Sequence, residues 1–500
     1  MTIAHWIDGT DAAATGEGTS PVHNPATGQV IEQVALGTPQ DVDRAVAAAL
    51  AAAGPWAASS VSRRASVLFR FRELLVEHTD ELAALVSREH GKVVSDARGE
   101  IARGLEVVEF ACGVPQLLKG EFSDQAATDI DVFSVREPLG VVAGITPFNF
   151  PVMVPLWMSP VAIATGNAFI LKPSERDPSA SLYLARMWAQ AGLPAGVFSV
   201  VQGDKRVVDA LLGHPGIAAV SFVGSTPIAR YVHATATAAG KRVQALGGAK
   251  NHGVVLADAD LDDAVNHLVA AAFGAAGERC MALPVVLAQD EIADDLVARL
   301  AARVRTITVA PGDQPGADMG PVITRQAKER IEEIITSAEQ EGATLVVDGR
   351  GHVVDGHPEG FFVGPTLVDR VRPDQRVYRE EIFGPVLDVV RVAGLTEAIT
   401  LINANPYGNG TAIFTASGEA ARTFRRSVQV GMIGINVPIP VPVAWHSFGG
   451  WKDSLFGDAH VYGPEGIAFY TRGKVVTERW PHRARPTAGP AFHFSGDAEK

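Results

Sequence analysis

Five hundred residues with 47% hydrophobic and 20% charged side chains exceed one small domain and predict a folded chain with a large core, which excludes a disordered or fibrous protein. Against 43 basic residues stand 56 acidic ones; a formal charge of -13 repels phosphate backbones and argues against nucleic acid as a partner. No apolar run reaches the roughly 18 to 20 residues that cross a bilayer, the start MTIAHWIDGT lacks a secretory pattern, and two cysteines cannot build a disulfide framework or a thiolate metal site, so a cytoplasmic protein without membrane or metal partners is expected.

Thr38 and Pro39 open an Ala-rich helix to about residue 54, by side-chain cap and pre-set proline φ. Apolar residues at three- and four-residue spacing predict further helices near 61–78, 80–90 and 95–112, so the first hundred residues read as mainly helical. Residues 122–138 alternate β-branched and charged side chains and predict a projecting hairpin. From Leu139 the pattern changes. LGVVAGI, NAFILK, VFSVVQG and AAVSFVG alternate with helical stretches, the signature of a parallel sheet with crossover helices. HGVVLA, the helix 260–273, PVVLAQ and the helix 291–304 predict a second α/β layer. Turn-forming residues without a period predict a loose tail at the C-terminus.

Cys280 sits in FGAAGERCMALP, a glycine-rich junction between an apolar helix and an apolar strand. A neighbouring guanidinium, Arg279, favours the thiolate and suits a nucleophile, although a lone intracellular cysteine also serves as a small buried hydrophobe. Cys112, on an apolar helical stripe, takes the second role. Asn149 in ITPFNFP follows the first parallel strand, where its amide either faces a developing oxyanion or caps the next helix. In FVGSTPIAR the amides near Gly224 and the Ser225 hydroxyl suit one phosphate at a helix N-terminus. Lys172 and Glu175 in LKPSERDPS suit ribose hydroxyls or are ordinary surface charge. The G-x-G-x-x-G dinucleotide fingerprint is missing.

FNFP, LKPSE, FVGST, LGG, a single downstream Cys, EEIFGPV and SFGG together resemble the aldehyde dehydrogenase superfamily over nearly the whole chain. More narrowly, NFPVMVPLWMSP, GGAKNHGVV and AAFGAAGERCMAL are similar to the CoA-acylating methylmalonate semialdehyde dehydrogenases. The resemblance implies an α/β fold of two doubly wound parallel-sheet domains plus a β-hairpin arm. Its domains would be an NAD-binding one from 1–117 and 139–250 and a catalytic one from 251–440. Residues 118–138 and 441–485 would form the bridging segments of a homo-oligomer, a dimer or tetramer, and 486–500 the tail.

It also implies Cys280 as nucleophile, with the Asn149 amide and the Cys280 N–H as oxyanion hole. The implied NAD contacts are Thr146 and Phe148; Lys172, Glu175 and Arg176 at the adenosine end; Ser225 on phosphate; Gly247; and Glu381 with Phe383 at the nicotinamide ribose. Hydrolytic members resembling this chain carry a glutamate before LGG as general base; here Ala245 stands there, which favours a CoA thiol over water as acyl acceptor unless a carboxylate such as Glu278 substitutes. Arg103 and Arg279 would hold a substrate carboxylate, or else pair with Glu106 and Glu278. The expected reaction is NAD-dependent, CoA-acylating, decarboxylating oxidation of methylmalonate or malonate semialdehyde to propionyl-CoA or acetyl-CoA. Rivals are a hydrolytic aldehyde dehydrogenase of an acid semialdehyde, a non-catalytic binding protein, and a cysteine hydrolase, which would need a histidine near Cys280.

Overall fold

Residues 2–480 are described by the computed structural model; the expected tail from 486 lies outside them. Five parallel strands build the first sheet: β1 (Val141–Ile145), β2 (Ala168–Lys172), β3 (Phe198–Val200), β4 (Ala219–Val223) and β5 (Arg242–Leu246). Their spatial order is β5-β4-β1-β2-β3, so the chain reverses direction between β1 and β4. Ligands of doubly wound sheets bind at the carboxyl ends of strands flanking such a reversal.

Alternation along these strands explains the layers. Val142, Phe169 and Leu171 face one hydrophobic cluster, while Val141, Ala143, Ala168 and Ile170 face another on the opposite side. Helices therefore cover both faces, which is why the strands read as continuous apolar runs. Phe71 and Trp188 stack in the first cluster with ring centroids 3.6 Å apart. Each such ring, fully buried, contributes about 1.5–3 kcal/mol.

The second sheet contains β6 (His252–Val255), β7 (Val285–Gln289), β8 (Thr366–Asp369), β9 (Val386–Val392), β10 (Gly410–Phe414) and β11 (Met432–Ile435), parallel in the order β8-β9-β7-β6-β10-β11. Thr344–Val347 joins antiparallel at the β8 edge. The expected hairpin forms from Phe122–Ala127 and Ile130–Pro138, and Thr471–Glu478 pairs along its second strand.

One expectation is corrected. Residues 2–35 are not helical but form five strands, two of which, His5–Ile7 and Thr10–Ala12, extend the first sheet antiparallel beyond β3. The three strands before Thr19 have two or three residues each, too few to show a period. From Thr38 the helical reading holds: the helix runs Pro39–Ala57, with the Thr38 N–H donating to Asp41 Oδ2 at 2.9 Å. Among the described residues no single helix is long and apolar enough to cross a membrane.

Candidate active site

Residues 247–251 connect the carboxyl end of β5 directly to the amino end of β6, so those two ends meet. Cys280 lies at this junction, between the helix α1 (Leu261–Phe273), a tight turn Gly274–Gly277, and β7. The turn is contorted: Ala275 and Ala276 hold left-handed φ of 49° and 53°, conformations that cost side-chain-bearing residues free energy and persist only where surroundings enforce them. Enforcement is visible. The Cys280 carbonyl accepts N–H bonds from the side-chain amides of Asn251 at 2.9 Å and Asn409 at 3.1 Å. Asn251 also donates to Ala282 O at 2.9 Å and accepts from the Gly410 N–H at 3.0 Å, joining the loop to two strands.

Two cavities meet at this thiol, and Cys280 is the residue that lines both. The larger, about 710 Å³, runs along the carboxyl ends of the first sheet through the β1/β4 reversal. Its walls include Thr146, Phe148, Asn149, Lys172, Glu175 and Arg176. On the other side stand Ser225, Gly247, Glu381 and Phe383. Every position expected to face a dinucleotide thus borders one cleft. Thr146 Oγ1 is buried there with no hydrogen-bond partner among the described residues. Ser225 is the N-cap of the helix α2 (Thr226–Ala238), where backbone amides and the helix dipole favour an anion. Gly247 is needed for closeness: a Cβ there would stand 2.6 Å from Asp453 O.

The smaller cavity, about 500 Å³, is lined by Trp157, Phe150, Met153, Arg103, Arg279 and Val441, among others. Both arginines expected to clamp a carboxylate therefore face one chamber. Each is also held. Arg103 Nη1 reaches both Glu106 oxygens at 2.9 Å, and its Nη2 donates to Val441 O and Pro442 O, each at 3.0 Å. Arg279 pairs at 2.7 Å with Asp96, not with Glu278 as considered from sequence.

Electrostatics correct a second expectation. Burial, followed by the Glu381 carboxylate, pushes the Cys280 thiol up to about 12, and the Arg279 guanidinium only partly offsets this. The resting Cys280 side chain is therefore a thiol. Cys112 is buried, and burial pushes it up to about 11, in keeping with its packing role. At the far end of the cleft Lys172 pairs with Glu175 at 3.0 Å; burial opposes ionisation of Glu175, but that ammonium, backbone hydrogen bonding and Arg176 outweigh it and hold the carboxyl below its usual range.

Glu278 lines neither cavity: its carboxyl accepts the Ile323 N–H at 3.2 Å and lies 3.8 Å from His90 Nε2. Burial raises it to about 8, so it is a neutral acid at pH 7. Ala245, fully buried on β5, also lines neither cavity. No histidine lines either one among the described residues, which removes the partner a cysteine hydrolase requires. Asn251, Asn409 and Asp96 escaped the sequence reading, and only GGAKNHGVV hinted at the first.

A parallel-sheet crevice thus ends at a thiol that also borders a second chamber, and the chain belongs to the aldehyde dehydrogenase family, whose model matches residues 12–476. It is 54% identical over 484 residues to a malonate-semialdehyde dehydrogenase of Pseudomonas aeruginosa, covering 97% of each chain. With malonate-semialdehyde dehydrogenase 3 of Geobacillus kaustophilus it shares 51% identity over 479 residues, covering 96% of this chain and 99% of that one. Among solved structures it resembles methylmalonate-semialdehyde dehydrogenase from Oceanimonas doudoroffii, with a TM-score of 0.95, 56% identity, and 96% and 99% of the chains covered. A Sinorhizobium meliloti protein presented as a methylmalonate-semialdehyde dehydrogenase complexed with NAD superposes with a TM-score of 0.96 at 52% identity, covering 96% and 98%.

Proposed function

We propose that this protein oxidises malonate or methylmalonate semialdehyde with NAD and passes the acyl group to CoA, releasing CO2 and yielding acetyl-CoA or propionyl-CoA. The observation that carries the proposal is the placement of Cys280 in the wall common to both cavities, which lets a dinucleotide and an aldehyde reach one sulfur from different sides. The names of the relatives agree with this substrate class.

The residues of the larger cleft fit NAD. The orphaned Thr146 Oγ1 supplies a ready polar group, and Ser225 with the α2 amides suits the pyrophosphate. Lys172, Glu175 and Arg176 would hold the adenosine ribose, with the ionised Glu175 favouring free hydroxyls over a ribose phosphate. Phe148, Gly247, Glu381 and Phe383 would hold the nicotinamide side. When bound, the cofactor supplies the hydride acceptor.

Arg103 and Arg279 orient the semialdehyde by its carboxylate, and charge-assisted hydrogen bonds of about 1.5–3 kcal/mol favour it over a neutral aldehyde. Cys280 loses its proton to solvent and attacks the carbonyl carbon, the carbonyl π pair moving onto oxygen. The Asn149 amide and the Cys280 N–H hold the resulting oxyanion, a stabilisation whose loss typically costs about 2.7–4 kcal/mol. Collapse of that oxyanion expels hydride and leaves a thioester on Cys280. The β-carboxylate then leaves as CO2, its bonding pair moving toward the thioester carbonyl, where the same donors stabilise the enolate. Protonation restores an acyl thioester. Attack by the CoA thiolate transfers the acyl group and frees the cysteine. Water is the poorer acceptor, because Ala245 cannot take its proton and Glu278 faces neither cavity. The hairpin and Thr471–Glu478 form the arm proposed to join subunits of a dimer or tetramer.

Supplying malonate semialdehyde and NAD with and without CoA, while following NADH and acyl-CoA by chromatography, tests the proposal. Acetyl-CoA in step with NADH supports it. Equal NADH turnover without CoA, with free acid as product, establishes the hydrolytic alternative instead.

A further inference from the structure

The segment carrying Asn149 is gripped by a buried ion pair. Lys92 and Glu100 have fully buried side chains and stand 2.7 Å apart. The Lys92 ammonium donates a second hydrogen bond to the Asn149 backbone carbonyl at 2.6 Å and lies 4.6 Å from the Phe150 ring centroid. The second oxygen of Glu100 accepts the N–H groups of Val152 at 2.8 Å and Met153 at 3.1 Å, where the helix α3 (Met153–Ala164) begins. One ion pair thus fixes both ends of the turn Asn149–Met153.

The Lys92 backbone is itself held by neighbours. Its carbonyl accepts the Ser87 hydroxyl at 2.7 Å, and a Cβ at Gly312 would stand 2.2 Å from that same carbonyl, so the turn at Gly312 packs closely against it. From this fixed point the restraint passes through Asn149 to the nucleophile. The Asn149 side-chain amide donates one N–H to Glu278 O at 3.0 Å, two residues before Cys280, and an amide nitrogen carries a second N–H for a ligand.

Stability alone is a poor reason for this pair. A buried ion pair gains little over well-packed apolar residues, because desolvation offsets the attraction. We infer that Lys92 and Glu100, which border the smaller cavity but spend their charges on each other and on the backbone of residues 149–153, are positioning residues, which hold the Asn149 amide at the angle required for the oxyanion and act on the reaction through that amide. The inference rests on the proposed chemistry at Cys280 and adds the source of its alignment.

A double-mutant cycle tests it, read as the pre-steady-state NADH burst with malonate semialdehyde. The neutral pair Lys92→Met with Glu100→Gln keeps acceptors for Val152 and Met153 but releases the Asn149 carbonyl. It should slow the burst roughly 10²-fold, toward the loss seen when an oxyanion donor is removed, and leave NAD affinity, measured by calorimetry, unchanged. In an Asn149→Ala background the same pair should change the burst less than about twofold. An equal slowing in both backgrounds, or none in either, overturns the positioning role. Should the pair fail to fold, Glu100→Gln alone, which weakens the hold on the ammonium, must show the same dependence on Asn149. Absence of any NADH formation by the unmodified enzyme, in the burst or in steady state, strikes the proposed activity itself and is thereby distinguished.

Discussion

Asp96 grips the Cys280 loop twice: Oδ1 accepts from Arg279 Nη2 at 2.7 Å and Oδ2 accepts from the Ala275 N–H at 2.8 Å. A single carboxylate thereby anchors both the contorted backbone before Cys280 and the guanidinium beside it. Arg279 also packs over Gly274, where an added Cβ would lie 2.4 Å from its Nη1. The cation is therefore presented to the smaller chamber in one orientation, before any substrate arrives.

Arg279→Leu should raise the KM for malonate semialdehyde roughly ten- to hundredfold, the loss of a charge-assisted hydrogen bond. Propanal, which has no carboxylate, should be nearly unaffected. Steady-state kinetics on both aldehydes decide the matter, and equal effects on the two would remove the clamp.

Cys280→Ser should keep NAD affinity and lose NAD reduction. In the unmodified protein, burial and then Glu381 place the thiol near 12, so alkylation by iodoacetamide should accelerate steadily as pH rises from 7 to 10. A plateau near pH 8 would contradict that. Glu381→Gln removes the carboxylate contribution and should speed alkylation several-fold at pH 8 if the fold is kept.

The Glu278 carboxyl gives a signed dependence of stability on pH. Its folded value of about 8 exceeds the ordinary 4.5, so between these pH values the native protein holds a proton that the unfolded chain has lost. Its contribution is full below about 4.5 and is lost as pH rises toward 8. Glu278→Gln should therefore narrow the difference in Tm between pH 5.5 and pH 8 in thermal melts. NADH formation should stay within about twofold of the unmodified enzyme, because both a neutral carboxyl and an amide can accept the Ile323 N–H; a much larger loss would reinstate Glu278 as a base.

Asn251→Ala should lower kcat more than it changes the KM for NAD. It strips a donor from the carbonyls of Cys280 and Ala282 and an acceptor from the Gly410 N–H. The Cys280 carbonyl keeps its Asn409 donor, but a buried group left unpaired costs about 1–3 kcal/mol, so loss of the Ala282 and Gly410 partners should lower Tm together with the NADH burst rate. A normal burst in a destabilised variant would show that the thiol keeps its place without this amide.

The strand ends that border the cleft were readable because their signals are local, whereas the roles of their residues came only with the family resemblance. ITPFNFP, LKPSERDPS and FVGSTPIAR each carry a strand, a turn and a helix start within a few residues, and glycine and proline mark the boundaries. What escaped was long-range. Asn251 and Asn409 reach the Cys280 carbonyl across 29 and 129 positions, and Asp96 meets Arg279 across 183. No periodicity encodes such pairings. The Arg279 guanidinium favours the thiolate as its adjacency implies, but only packing reveals that desolvation of the sulfur outweighs it.

The placement of one sulfur in a partition between two chambers has a consequence for selective inhibition. An electrophile carrying an apolar tail shaped to the compartment of Trp157 and Phe150 can cap the sulfur from that side and leave the dinucleotide crevice open. Such a labelled protein would be silent yet still take up its coenzyme, a property that separates this route of inactivation from any compound competing for the crevice.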